Sequence, residues 1–252
     1  MLSCIAGGTS GIGAAVSRQL LGAGADVVAV GLSTTHAEEF ESSISDEESK
    51  QLTVLVGDLA DDAFADEVAT AVANRGDALH LLVNAAGTIS GGGVRHETAE
   101  IWRRVMRTNL DAPFNLVKAC LDMLAAGAPA SSVVNVSSVC SLRPCSSLSY
   151  SVSKAGVDML TKSLARELAP MRIRVNSVNP SVVRTNLQKS AGLFEDEAGY
   201  ASWVAEMQPS HPIGRIGEPD DIAEAILFLA DPHKSSWTTG AILSVDGGRG
   251  VA

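Results

Sequence analysis

The residues of this chain best suited to chemistry are Tyr150 and Lys154, in the run Tyr150-Ser151-Val152-Ser153-Lys154. On a helix, positions i and i+4 share a face, so a phenol and an ammonium stand side by side. A neighbouring cation favours phenolate, which lowers the tyrosine pKa and makes it an acid/base usable near neutral pH. With two tyrosines and six lysines in 252 residues, roughly 0.05 such pairs are expected by chance. Tyr200, the other tyrosine, has Val204 at that offset. A second candidate is Gly7-Gly8-Thr9-Ser10-Gly11-Ile12-Gly13. Glycines there let the backbone turn tightly and approach a pyrophosphate, which the N–H groups opening the next helix attract. Two polar runs, Asn135-Val136-Ser137-Ser138 and Asn84-Ala85-Ala86-Gly87, each close an apolar segment. Side chains at the carboxyl ends of parallel strands lie where ligands bind in open α/β sheets.

Positioning these residues takes short strands alternating with helices. The strand candidates are Leu2–Ala6, Asp26–Val30, Leu52–Val56, Leu79–Asn84, Ser132–Val136, Arg172–Val178 and Ile242–Val245. Between them, apolar residues recur at helical spacing: Ile12, Val16, Leu20 and Ala23, then Val157, Leu160, Leu164 and Leu168, then Ile222, Ala225, Ile226 and Leu229. The last group is entered through Glu218-Pro219-Asp220 and stopped by Asp231-Pro232, the punctuation of a helix. The strands read as nearly continuous apolar runs, so both of their faces should be buried. This pattern predicts one α/β domain over residues 1–252, a doubly wound, mostly parallel seven-stranded sheet with helices on both faces. The least regular stretch, 185–209, carries Leu193, Phe194, Tyr200 and Trp203 amid Glu195, Asp196 and Glu197. It reads as a substrate loop or lid, or else as a surface helix pair.

Composition excludes several classes. The chain has 19 Lys+Arg against 29 Asp+Glu, a net charge of −10, so no basic footprint for nucleic acid exists. Hydrophobic residues make up 46% and aromatics only 4%, which gives a large core built mainly from Ala, Val, Leu and Ile. No apolar run approaches the ~18 residues a membrane span needs. Met1-Leu2-Ser3-Cys4-Ile5-Ala6 has no basic residue ahead of its apolar stretch and reads as a strand, not a signal peptide. Cys4, Cys120, Cys140 and Cys145 show no Cys-x-x-Cys spacing, which points to free thiols and a cytoplasmic, reducing setting. The five histidines are scattered, and no metal site is expected.

Taken together, the motifs resemble the short-chain dehydrogenase/reductase family in its form of about 250 residues, over essentially the whole chain. The resemblance implies a Rossmann fold. Gly7 to Gly13 are similar to the family's Thr-Gly-x-x-x-Gly-x-Gly turn, with Ala6 in place of the threonine. Asp58, followed by Leu59, matches the aspartate that contacts adenine. Asn84 to Gly87 match Asn-Asn-Ala-Gly, with Ala85 in place of the second asparagine. Asn109, Ser138, Tyr150 and Lys154 match the catalytic tetrad. Pro180-Ser181-Val182-Val183-Arg184-Thr185 resembles the Pro-Gly segment beside the nicotinamide, with Ser181 replacing glycine; a positive φ there would strain it. Gly214 to Pro219 and Val245 to Gly248 resemble the C-terminal signature.

What the resemblance implies is hydride exchange between a nicotinamide cofactor and a carbonyl or alcohol carbon. Tyr150 moves the hydroxyl proton. Ser138 holds the substrate oxygen, with Cys140 beside it as a further substrate contact. Lys154 binds the nicotinamide ribose and depresses the Tyr150 pKa. Asn109, through a distorted helix turn and bound water, links Lys154 to solvent. Val183 and Thr185 place the carboxamide. Cofactor choice falls at the end of the second strand, Gly31-Leu32-Ser33-Thr34-Thr35-His36, where neither an acid for the ribose 2′-hydroxyl nor an arginine for a 2′-phosphate is present. Both NAD and NADP stay open, and the missing cation, at Ser10 too, favours NAD. The expected substrate is a small polar or sugar-like molecule. A 3-oxoacyl-(acyl-carrier-protein) reductase is the alternative, weakened because Ala125 to Ser132 offers no basic residue to an acidic carrier. A non-catalytic dinucleotide-binding regulator is a third reading, which the intact Tyr150/Lys154 pair disfavours. Arg95, His96, Arg143 and Arg184 are candidate contacts for a polar or anionic substrate. Helices over Thr98–Ala126 and Ser149–Ala169 match the family's four-helix subunit interface, so a homotetramer is expected, with a dimer as fallback.

Overall fold

The computed structural model describes residues 1–252. Seven strands, β1 (Leu2–Ala6), β2 (Asp26–Gly31), β3 (Leu52–Val56), β4 (Leu81–Asn84), β5 (Ser132–Val136), β6 (Arg174–Pro180) and β7 (Ile242–Val245), form one sheet. Their order is β3-β2-β1-β4-β5-β6-β7, and every neighbouring pair is parallel. The helices are α1 (Gly11–Gly22), α2 (Thr34–Ser42), α3 (Asp46–Ser49), α4 (Phe64–Ala73), α5 (Ala99–Met106), α6 (Ala112–Ala119), α7 (Leu121–Gly127), α8 (Leu148–Leu168), α9 (Leu187–Ser190), α10 (Glu197–Met207) and α11 (Pro219–Ala230). None is long and apolar enough to cross a membrane.

Alternate residues of a strand face opposite sides of the sheet, and here both sides are covered. Val16 and Leu20 of α1, Phe40 of α2 and Ile222 and Ile226 of α11 pack in one layer with Ile5, Val27, Val83 and Val134. Val68 of α4, Leu116 of α6, Leu124 of α7 and Leu164 of α8 form the other with Cys4, Val28, Leu82 and Val133. Cys4 and Cys120 are free thiols within this second layer, serving as small apolar residues. The expected burial of every strand holds in the interior, where β1, β4, β5 and β6 are buried throughout. It fails at the two edges: β3 and β7 are only partly covered, because each has a neighbour on one side alone.

Four strand boundaries differ from the sequence pattern: β2 runs on to Gly31 and β6 to Pro180, and two strands start later. β4 begins at Leu81 and not Leu79. β6 begins at Arg174 because Arg172 is left-handed, with φ 60°, and turns the chain out of α8. The helix expected over Thr98–Ala126 is interrupted by a π turn at Arg107–Asp111, where the resemblance implied a distorted turn at Asn109, and breaks again at Cys120. The cause of the π turn is Pro113: an α-helix would have residue 113 donate to the Asn109 carbonyl, and proline has no N–H to give. The ladder slips by one residue around Asn109.

β2 and β3 lie on one side of β1, and β4 to β7 on the other. The chain therefore leaves β1 and β4 in opposite directions, and a crevice opens between their carboxyl ends.

Candidate active site

A cleft of about 950 Å³ occupies that crevice, toward the upper end of ordinary ligand sites, roughly 300–1,000 Å³. It brings together Gly7, Thr9, Ser10, Gly11 and Ile12 of the glycine turn, with Gly31, Leu32 and Ser33 at the end of β2. Asp58 and Leu59 follow from β3, and Ala85, Ala86 and Gly87 from β4. Ser138 and Cys140 enter from β5, Tyr150 and Lys154 from α8, and Pro180, Val183 and Thr185 from the end of β6. Gly13, Asn84 and Asn109 do not line the cleft; each lies behind it.

The glycine turn is built for close approach. A Cβ on Gly7 (φ +79°) would lie 2.7 Å from the Ala86 nitrogen, and one on Gly13 would lie 2.1 Å from the Gly7 carbonyl oxygen. Gly13 thus lets the first turn of α1 pack against the loop, while Ser17 Oγ donates to the Gly8 carbonyl at 3.0 Å and clamps it. No side chain caps the first turn of α1, and no acidic residue lies in it. Its N–H groups and dipole are left to an anion. These features fit the pyrophosphate of a dinucleotide. Asp58, at the other end, accepts from the Ala60 N–H at 2.9 Å and pairs with Arg104. Burial raises its pKa, but Arg104 and that N–H together hold the carboxyl below its ordinary value.

Asn84 lies inside the sheet, not on the cleft. Its Nδ2 donates to Asn135 Oδ1 at 2.8 Å, and Asn135 Nδ2 donates to Thr161 Oγ1 at 2.8 Å. This buried chain ties β4 to β5 and α8. Asn109 is also a clamp: its Oδ1 accepts from the Thr88 N–H at 2.8 Å, and its Nδ2 donates to the Thr88 carbonyl and to Ser153 Oγ. It fixes the loop after β4 to the helix that carries Tyr150 and Lys154.

Ser138 is held from three directions. Its Oγ accepts from the Cys140 N–H at 3.1 Å, and its carbonyl accepts from Asn179 Nδ2 at 3.0 Å and from Ser141 Oγ. Asn179 and Ser141 in turn both bond to the Asp158 carboxylate on α8. Sequence patterning missed Asp158, Asn179 and Ser141, because they act through polar contacts between elements distant in the chain. Ser138 and Tyr150 line the same cleft.

The electrostatics correct one expectation. Burial pushes the Tyr150 phenol up, with the Cys140 thiol adding to the effect and the nearby Ser138 hydroxyl opposing it. Lys154 does not reverse this: its Nζ lies 5.6 Å from the Tyr150 ring centre and donates to the Val136 carbonyl at 2.7 Å. Burial instead pulls the ammonium down to about 8, against the pull of Asp158. The physical reason is desolvation, which outweighs one cation directed at a backbone carbonyl. Tyr150 is thus a neutral phenol, the form that can give a proton to a developing alkoxide.

Stretch 185–209 forms α9 and α10. Tyr200 and Val204 bury against Val182 and Ile216, while Leu193, Phe194, Trp203 and Met207 face the cleft. The rings of Phe194 and Trp203 are 5.3 Å apart. Ser181 has no positive φ, since Arg172 is the one non-glycine residue that does, and so it carries no strain. Its hydroxyl donates to His211 Nε2 at 3.0 Å, with His211 Nδ1 donating to the Met207 carbonyl at 2.9 Å. Of the four basic residues singled out for substrate, none lines the cleft. Arg184 pairs with Glu218, and Arg143 donates to the Ala252 carbonyl. The arginine that does line it near Ser181 is Arg249, which no motif marked.

The chain matches the enoyl-(acyl carrier protein) reductase family over residues 6–249. It is 38% identical to cis-4-hydroxycyclohexanecarboxylate dehydrogenase of Sinomonas cyclohexanicum, covering 98% of this chain and 95% of that one. It is 34% identical to galactitol 2-dehydrogenase of Rhizobium johnstonii, covering 97% and 93%. The 3-ketoacyl-(acyl-carrier-protein) reductase of Brucella melitensis, solved with NADH, superposes with a TM-score of 0.86 at 29% identity over 99% of this chain and 98% of that one. The chain belongs to the short-chain dehydrogenase/reductase family and is an oxidoreductase that moves hydride between a nicotinamide dinucleotide and a carbonyl or alcohol carbon.

Proposed function

We propose that the chain interconverts a compact secondary alcohol and its ketone, with Tyr150 as the acid/base. The observation that carries this reading is that Ser138, Tyr150 and Lys154 meet the glycine turn in one cleft. The bound dinucleotide supplies the hydride acceptor or donor. Ser138, fixed by Asn179 and Ser141, holds the substrate oxygen against the Tyr150 hydroxyl, and Tyr150 gives it a proton in reduction or takes one in oxidation. Lys154, with a pKa near 8, stands within reach as a proton store and ribose contact. Asn109 acts as a positioning residue. Gly7, Thr9, Ser10, Gly11, Ile12, Ala86 and Gly87 cradle the dinucleotide, and Val183 and Thr185 place the carboxamide. The 185–209 segment serves as the lid over the substrate end. Its apolar side chains narrow the sequence expectation of a small polar substrate to one with a compact apolar body. A panel of secondary alcohols and ketones, followed by nicotinamide absorbance with both cofactors, tests this; no turnover of any of them would overturn it.

NAD is the cofactor we propose. Ser33 is engaged as the N-cap of α2, accepting from the His36 N–H, and Arg104 is already matched by Asp58. A 2′-phosphate would meet no free arginine or lysine at the end of β2, and an uncompensated phosphate is poorly tolerated. NADH is expected to bind about tenfold or more tightly than NADPH in a fluorescence titration, about 1.4 kcal/mol. Equal or reversed affinity would overturn the choice.

Assembly as a homotetramer fits Leu148, Val152 and Met159, exposed apolar residues along α8, with Phe114 exposed on α6. Light scattering after size exclusion is expected to give four times 26.0 kDa; twice that mass would support the dimer, and a monomer would remove both. A cytoplasmic location is consistent with four free cysteines.

A further inference from the structure

The cleft has a charge balance opposite to that of the molecule. The chain carries −10 overall, yet the one carboxylate lining the cleft is Asp58, and Arg104 neutralises it. Arg249, the other arginine in the lining, takes part in none of the ion pairs of the chain. Its partners are neutral: Nη1 donates to Ser181 Oγ at 3.3 Å, and Nη2 approaches Met207 Sδ at 3.9 Å. Half-buried charged side chains normally have an acidic partner, because desolvating a lone guanidinium is costly.

The placement of Arg249 is itself held. Ser181 Oγ donates a hydrogen bond to Nε2 of buried His211, whose ring is anchored on the Met207 carbonyl. Serine at 181, where a glycine was expected, therefore supplies an acceptor that aims the guanidinium. Its charge is felt at the Cys140 thiol, and the Cys140 N–H bonds Ser138 Oγ. The cation thus stands at the substrate end, away from the glycine turn that suits pyrophosphate. Met207 touches the guanidinium, and Val182, Leu193, Phe194 and Trp203 add apolar surface to the same cleft. A low-dielectric wall strengthens pairing with an anion.

We infer that Arg249 is a specificity residue that takes the carboxylate of a hydroxy acid or oxo acid, with the apolar body of that substrate lying against the lid and its secondary alcohol at Tyr150. This rests on the proposed alcohol–ketone reading and names its substrate class. The ion pair is bidentate-capable, since guanidinium and carboxylate match in geometry.

The test uses matched acids and amides: 3-hydroxybutanoate, 4-hydroxypentanoate and 5-hydroxyhexanoate against their carboxamides, with NAD, in wild type, Arg249→Met and Arg249→Lys. For the best acid, wild type is expected to favour the carboxylate, and Arg249→Met to lose roughly 30- to 300-fold in kcat/KM, mostly in KM. The amide should change by less than about threefold, and Arg249→Lys should recover part of the loss. A parallel binding experiment measures pentanoate and pentanamide, which have no hydroxyl to oxidise, by thermal shift of the NADH-loaded protein. Pentanoate should stabilise wild type and not Arg249→Met. If the amides turn over as well as the acids and pentanoate binds both proteins alike, this inference falls and the oxidoreductase reading stands. Should pentanoate binding depend on Arg249 while no alcohol is oxidised, the anion site stands and the alcohol–ketone reading falls.

Discussion

Tyr150→Phe is expected to lower kcat and kcat/KM together by about 10²- to 10⁴-fold, the usual contribution of a placed acid/base. NADH affinity should stay within about twofold, because one hydroxyl leaves while the ring and its packing remain. The phenol is 8% exposed, and burial raises its pKa. At neutral pH it holds its proton firmly until a developing alkoxide, stronger in basicity than phenolate, takes it. In the oxidative direction the same burial makes removing the alcohol proton harder, so raising the pH should help oxidation and hinder reduction. Loss of the hydroxyl removes both routes and leaves only proximity to the nicotinamide. Steady-state rates in both directions, with a fluorescence titration of NADH on the same preparation, check this. Turnover by the variant within about fivefold of wild type would remove Tyr150 from the chemistry.

How much of this was legible in the chain depends on how local each signal is. The Tyr150/Lys154 spacing and the glycine turn are local, and the alternation of apolar runs with helical periods is enough for a doubly wound sheet. Gly13 was legible as part of a motif but not as what it is physically, a residue without a side chain because the Gly7 carbonyl lies where one would go. The π turn had a readable cause in Pro113, four residues after Asn109; periodicity alone carried a straight helix through it, while the family resemblance implied a distorted turn at Asn109. Edge strands could not be told from interior ones, because β3 and β7 have the same composition as their neighbours and differ only in what lies beside them. The Tyr150 ionisation was misjudged for a related reason. An i,i+4 spacing brings a cation near the ring, but its direction toward the Val136 carbonyl and the depth of burial are tertiary facts. Arg249, 68 residues from Ser181, had no local signal at all.

Lys154 should show the cost of the site in a way that can be measured apart from turnover. Its pKa falls from 10.5 to about 8, through burial first. Below pH 8 the ammonium is charged in both folded and unfolded chains, and the folded state bears the full desolvation penalty. Between about 8 and 10.5 the folded protein sheds the proton while the unfolded chain keeps it, so the penalty shrinks; above both values it is gone. At 1.36 kcal/mol per unit, the penalty at neutral pH is on the order of 3 kcal/mol, reduced in practice by the hydrogen bond to Val136 that a substitution would lose. Lys154→Met, which fills similar volume without charge, is therefore expected to raise Tm at pH 6 to 7 and to lose that advantage as pH climbs toward 10.5. The same variant should lose about 10²-fold or more in kcat/KM, because the proposed proton store and ribose contact goes with the ammonium. Thermal melts of both proteins across pH, paired with rates, separate the two effects. A variant less stable than wild type at every pH, or a gain that does not fade with rising pH, would show that Lys154 is not a destabilising charge retained for catalysis.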